Sequence, residues 1–171
     1  MQTRKALLAT VLSAAMLLPM TANADPHEGG GSSNFAFGIM LGEPTALSFK
    51  NWVGSSHAWD LAIGVGPGVR VHADYLFTLA QLIRNQSSYN LDLYLGVGPL
   101  VGTYTGWCGR LYDPGYGCGE GGLYGGGRVP IGLDLRLMPI DLGIEFAPAV
   151  IAARPGVAFL LDAALFFRIL L

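Results

Sequence analysis

Gly127-Arg128-Val129-Pro130-Ile131-Gly132-Leu133-Asp134-Leu135-Arg136-Leu137 is the stretch that decides the fold. Val129, Ile131, Leu133, Leu135 and Leu137 fall on one parity, and Arg128, Asp134 and Arg136 fall on the other. Successive side chains of a β-strand point to opposite faces, so one face here is aliphatic and the other carries both signs of charge. The same two-residue beat recurs in about eight segments down the chain. A soluble sandwich turns its apolar face inward and its polar face to water, yet little polar surface is left here for a soluble shell. The pattern implies a barrel turned inside out, apolar outside and charged within.

An export signal precedes it. Arg4 and Lys5 form a basic start, Ala6 to about Pro19 is an apolar run, and Ala22-Asn23-Ala24 is a small-x-small cleavage pattern. The run is short of the roughly 20 residues a spanning helix needs, which favours a cleaved signal over residues 1–24 rather than an anchor. Losing Arg4 and Lys5 takes the formal charge from −2 to −4, and such mild acidity gives no footprint for nucleic acid. Residues 25–33, Asp-Pro-His-Glu-Gly-Gly-Gly-Ser-Ser, read as a flexible segment ahead of one domain over 34–171.

Charged residues make up 13% of the chain, half the share usual for soluble domains. No later segment suits a spanning helix. The best, Phe146 to Phe167, is broken by Pro148, Arg154, Pro155 and Asp162. A hydrophobic, glycine-rich chain without helical spans crosses a bilayer as a closed barrel. The fold expected is all-β, an eight-stranded antiparallel up-and-down transmembrane β-barrel.

The strands are read at about 34–42, 45–53, 58–66, 69–79, 89–101, 127–137, 140–149 and 156–170. Glu43-Pro44, Gly54-Ser55-Ser56 and Gly66-Pro67-Gly68 supply turns. Residues 80–88 read as a connection, and 102–126 as a long glycine-rich loop. In the last strand Leu160, Phe166 and Leu170 share the inner parity with Asp162 and Arg168, so alternation is weakest there.

All the strand charges take the inner parity: Lys50, Arg70, Arg128, Arg136 and Arg168, with Asp60, Asp74, Asp92, Asp134, Asp141, Glu145 and Asp162. His72 joins them. An arginine on the outer face at the bilayer midplane costs about 2–4 kcal/mol, which explains the bias. Near balance of sign predicts layers of ion pairs, because an unpaired buried charge is costly. The interior of an eight-stranded barrel is just wide enough for side chains to fill, so a plugged lumen with little conductance is expected.

An even strand count puts both chain ends at the periplasmic side and the 102–126 loop outside. Outward Phe35, Phe37, Trp59, Phe77, Tyr89 and Phe167 then fall near the periplasmic strand ends as an interfacial girdle. Tyr104 and Trp107 are candidates for a thinner external girdle.

Cys108 and Cys118 enclose a short stretch of the long loop, and an exported chain meets an oxidising compartment, so a local disulfide is predicted. Two thiols without a nearby histidine make a poor metal site. Trp107, Tyr112, Tyr116 and Tyr124 suit a contact surface for a partner, although a rigid loop without a partner explains them equally.

Catalysis has one candidate. His72 and Asp74 share a face, Asp60 could lie on the neighbouring strand, and Ser48 points inward on the second strand. A histidine oriented by a carboxylate is half of a nucleophilic triad, but membership of the polar interior is the plainer reading of His72. Gly64-Val65-Gly66-Pro67-Gly68 lacks the helix and lysine of a phosphate loop and reads as a turn.

Gly42-Glu43-Pro44-Thr45-Ala46-Leu47-Ser48-Phe49-Lys50 leading to Trp52 resembles the start of a family of small uncharacterised bacterial outer-membrane-type eight-stranded barrels. His72-Ala73-Asp74-Tyr75-Leu76, Arg128-Val129-Pro130-Ile131-Gly132-Leu133 and Glu145-Phe146-Ala147-Pro148 are similar to that family too. The resemblance implies the architecture and carries no activity. Many such chains end in an aromatic residue read by the assembly machinery, whereas this one ends Phe166-Phe167-Arg168-Ile169-Leu170-Leu171.

The expectation is therefore a monomeric integral protein of the outer membrane of a Gram-negative-type bacterium. Its role is structural or surface-interacting, without catalysis, cofactor, metal or nucleic acid, and its partners are outer-membrane lipids and whatever meets the 102–126 loop. A narrow channel for ions or small solutes is the first alternative and an outer-membrane lipid hydrolase the second. A soluble periplasmic barrel carrying a lipid would need an apolar interior, against which the parity of the charges argues.

Overall fold

A computed structural model describes residues 34–66, 68–85, 89–104, 122–153 and 156–171. Among the described residues there are nine antiparallel strands and no helix. They are β1 (Phe35–Glu43), β2 (Thr45–Trp52), β3 (His57–Val65), β4 (Val69–Asn85), β5 (Tyr89–Tyr104), β6 (Gly122–Arg128), β7 (Ile131–Leu137), β8 (Ile140–Ala153) and β9 (Val157–Leu170). Apart from β6 and β7, consecutive strands pair with each other, and β9 returns to pair with β1, as in Phe37 with Ile169. The sheet is closed.

β6 and β7 occupy one lane between β5 and β8, so nine segments form an eight-stranded up-and-down barrel. The interruption falls at Val129-Pro130, where proline has no N–H to give. The ladder still spans the gap: the Gly96 amide donates to the Pro130 carbonyl at 2.7 Å, and the Val129 amide donates to the Pro148 carbonyl at 3.0 Å.

Several boundaries move outward from the sequence reading. β4 continues to Asn85 instead of stopping at 79, with register shifts between Thr78 and Ala80 and between Gln81 and Ile83. Bulges insert unpaired residues, which is why alternation fails there although pairing continues. The 102–126 segment is not all loop. β5 runs to Tyr104 and β6 begins at Gly122, paired on both sides. A backbone ladder is indifferent to missing side chains, so the glycine run 125–127 joins it. Gly126 in particular lies against the Val150 carbonyl, where a Cβ has no room. β8 likewise reaches Ala153.

The barrel wall separates two surfaces. Outward Leu41, Leu47, Leu61, Ile63, Val101, Val150, Leu161 and Leu165 are exposed. Inside, Met40, Ala62, Leu76, Tyr94 and Phe166 form one apolar cluster. Leu100, Tyr124, Ala149, Ile151, Ala158 and Leu160 form a second. The second lies toward the end where β5 stops and β6 starts. Tyr124 is thus a correction to the loop reading: it is buried in this cluster, its ring over Gly102.

Candidate functional site

Closure of the barrel places inward parity from every lane into one shared interior. Lys50, Asp60, Arg70, His72, Asp74, Asp92, Arg128, Asp134, Asp141, Glu145, Asp162 and Arg168 are all buried there. Arg136 lies at the mouth, its side chain 17% exposed. Burial of so many charges is tolerable only if they are paired.

Two registers set carboxylates directly opposite each other, Asp60 with Asp74 and Asp92 with Asp134. Like charges so placed repel. The interior resolves each clash by giving both members a different cation. Asp60 pairs with Arg168 and Asp74 with Arg128, its Oδ2 at 3.2 Å from Nε. Asp92 pairs with Arg136, and Asp134 pairs with Lys50.

Arg128 is the hub of the upper network. Besides Asp74 it pairs with Glu145, lies 3.7 Å from Asp162 Oδ2, and places Nη1 3.2 Å from His72 Nδ1. Asp162 also meets Arg70 at 3.1 Å. The Tyr94 hydroxyl donates to Glu145 Oε2 at 2.8 Å. Below it, Arg168 donates from Nε to Ser48 Oγ at 2.8 Å and from Nη1 to Asp141 Oδ2 at 3.1 Å, and its guanidinium lies 4.1 Å from the Phe166 ring centroid. Arg168 crosses β1 to reach β2 and β3 because its partner on β1 is Gly38, which presents no side chain.

Trp52 is an interior contact that alternation alone did not single out. Lys50 Nζ stands 4.8 Å and Arg136 Cζ 5.3 Å from its ring, so two cations hold the indole at the charged mouth. The signal was available, since Trp52 shares parity with Ser48 and Lys50.

The outward aromatics lie at the end where the chain enters and leaves the barrel. Phe35, Phe37, Trp59, Phe77, Tyr89 and Phe167 are all exposed. Some associate: Phe37 and Phe49 have ring centroids 4.9 Å apart, and Trp59 and Tyr75 4.6 Å.

What this interior can do chemically is constrained by the commitment of its groups. Arginine has no acceptor, so His72 Nδ1 accepts from Arg128, and Nε2 faces Asp74 Oδ2 at 3.8 Å. Ser48 sits two lanes from His72, through Ala62, and accepts from Arg168 instead. Two inter-strand spacings are about 9–10 Å, too far for a serine to hand a proton to that imidazole. Among the described residues no group of three His, Cys, Asp or Glu could hold a metal ion. The leader, Trp107, Tyr112, Tyr116 and the Cys108–Cys118 pair lie outside the described residues, as does the side chain of Tyr104.

In comparisons with known proteins, no family model, no curated protein and no solved structure matches the chain.

Proposed function

We propose that this chain is an integral outer-membrane barrel whose interior is closed by ion pairs, with a structural or surface-interaction role and no catalysis. The observation that carries the reading is the division of its faces: buried charges inside the wall, exposed Leu, Ile, Val and Phe around the outside. Exposed apolar patches beyond a few hundred Å² mark interaction or membrane surfaces, and a girdle of this kind encircling a barrel suits lipid. The export signal read at 1–24 and the aromatics at one rim agree with an outer-membrane location. Of the 102–126 segment, Trp107, Tyr112 and Tyr116 would be the surface for a partner outside the cell, Tyr124 being buried in the barrel, and the barrel would act as a monomer.

The test is gel mobility of the outer-membrane fraction with and without boiling in detergent. A closed membrane barrel runs anomalously until heated, whereas a detergent-free soluble protein with no shift would reverse the assignment of the faces.

A narrow channel is the second reading. It draws on buried polar atoms that lack a hydrogen-bond partner among the described residues, including Asp60 Oδ1, Asp92 Oδ1 and Asp134 Oδ1, since such groups suit interior water. Single-channel recording decides: stable unitary steps that disappear on altering Arg70 or Asp134 would replace the closed interior with a conducting one.

A further inference from the structure

Asp134 and Asp141 stand together on the inner wall, near the turn from β7 to β8. The register sets Asp134 opposite Gly143 and Arg136 opposite Asp141, so the two aspartates are diagonal neighbours on adjacent strands. Diagonal neighbours on one face lie within reach of each other, and Gly143 offers no side chain to part them. Both residues are buried, and their side chains are in hydrogen-bonding contact.

The individual oxygens show what that contact needs. Asp134 Oδ2 pairs with Lys50, and Asp141 Oδ2 accepts from Arg168 Nη1 at 3.1 Å. Oδ1 of each is buried and meets no donor among the described residues. Two ionised carboxylates are acceptors only, so neither can bond the other. Like charges sharing one site cannot both persist, and something positive has to lie between them.

The neighbouring cations are already engaged. Lys50 of β2, Arg136 of β7 and Arg168 of β9 face the pair. Arg136 pairs with Asp92 of β5, the residue opposite Asp134, and Arg168 is shared with Asp60 of β3 and Ser48 of β2. Seven interior carboxylates meet five lysines and arginines, so cations run out before acids do. A metal ion is poorly served, since no three His, Cys, Asp or Glu among the described residues are grouped to hold one. A proton needs only the two oxygens.

We propose that Asp134 and Asp141 bind one proton between them, forming a carboxylic acid–carboxylate pair inside the barrel. The proton resides on Asp141, which donates to Asp134. Lys50 binds Asp134 as its single carboxylate among the described residues and keeps it ionised, whereas Arg168 divides its charge between Asp141 and Asp60. Solvent supplies the proton through the mouth where Arg136 is partly exposed. The pair is the same whether the rest of the interior is closed or admits water.

The test is infrared spectroscopy of the full chain folded in an ester-free detergent at neutral pH. A protonated carboxyl has a carbonyl band apart from those of carboxylates, and the band shifts in D2O. The parent should show such a band, and Asp141→Asn should remove it or one carboxyl's share of it. The asparagine amide still donates to Asp134, so the unfolding equilibrium should stay within about threefold of the parent. Asp134→Asn should lose the same intensity, as Asp141 ionises against Arg168, and should shift unfolding by about a hundredfold or more because Lys50 loses its carboxylate. Either variant serves if the other does not fold. A parent without the band, or a band that survives both substitutions at full intensity, overturns the proposal. Parent stability that differs between sodium chloride and choline chloride at equal ionic strength, with no band, would put a metal ion between the oxygens and overturn it too.

Discussion

Arg128→Met separates a filled interior from a wet one. Arg128 is buried and stands among Asp74, Glu145 and Asp162, with His72 against it. Methionine keeps much of the side-chain volume while leaving those carboxylates without their shared cation. Removing one partner of a buried pair costs about 3–5 kcal/mol, and a hub with several partners belongs at the upper end of that range. At about 1.4 kcal/mol per factor of ten, the unfolding equilibrium should move by roughly three orders of magnitude. Arg128→Lys keeps the charge but loses the forked geometry, and should cost about 1–2 kcal/mol. Adding Glu145→Gln to Arg128→Met removes one stranded carboxylate and should recover part of the loss, with a coupling of about 0.5–3 kcal/mol. The assay is urea unfolding of the barrel in phosphatidylcholine vesicles, followed by tryptophan fluorescence and by the heat-sensitive gel band. Should Arg128→Met match the parent within about 0.5 kcal/mol, the carboxylates are hydrated where they stand, and the interior conducts or at least admits water.

Leu161→Arg, on the exposed face of β9, should cost about 2–4 kcal/mol in vesicles if that face meets lipid; a neutral result in the same unfolding assay would place it in water. Gly143→Ala forces a Cβ into the Phe166 ring and the Leu133 carbonyl and should destabilise by about 1–3 kcal/mol. Outward Gly125, whose Cβ would meet nothing nearer than the Leu100 carbonyl at 3.7 Å, should accept alanine within about 0.5 kcal/mol, and urea midpoints of the two variants compare them directly. Ser48→Ala takes an acceptor from the buried Arg168 guanidinium and should cost about 1.5–3 kcal/mol in the same titration; no loss would mean that Arg168 finds another acceptor.

The barrel was legible because a period of two, repeated with every strand charge on one parity, has few other physical causes. β3 alternates without a break and could be read residue by residue, whereas β9 alternates as strictly in burial although Leu160, Phe166 and Leu170 on its inner face weaken the pattern in hydropathy. Glycine and bulges hid the rest. Gly125-Gly126-Gly127 has no side chains to alternate, so its place in the β5–β6–β8 ladder left no trace in hydropathy. Leu79 and Leu82 are insertions that shift the parity of β4, which made a paired strand resemble a connection. Inner parity told which charges share the interior but not which meet, because that depends on register around the whole circumference. Arg128 and Asp74 are 54 positions apart in the chain and come together only once β4, β5 and β6 are aligned.

The irregularities of the inner face follow from a single requirement, that a narrow barrel be filled. Charges alone would not do it. Seven carboxylates and five cations line the wall; Lys50, Arg70, Arg128 and Arg168 reach past the neighbouring strand to their carboxylates, while Arg136 meets Asp92 on the adjacent β5. Long reach needs empty wall opposite, and glycine supplies it: Gly38 faces Arg168, and Gly98 faces Arg128. The same rule places aromatic rings, with Tyr94 over Gly132 and Phe166 over Gly143. Those glycines weaken strand propensity locally, a cost borne because a side chain there would collide with the network. Above the hub the strategy changes, since Leu100, Ile151 and Leu160 fill the last turn of the wall with apolar bulk that needs no partners. Charge reaches that end as well: Arg70, whose cross-strand neighbour on β5 is another glycine, Gly102, is buried beside the apolar bulk and meets Asp162 at 3.1 Å, so ion pairs and hydrocarbon fill this part of the interior together.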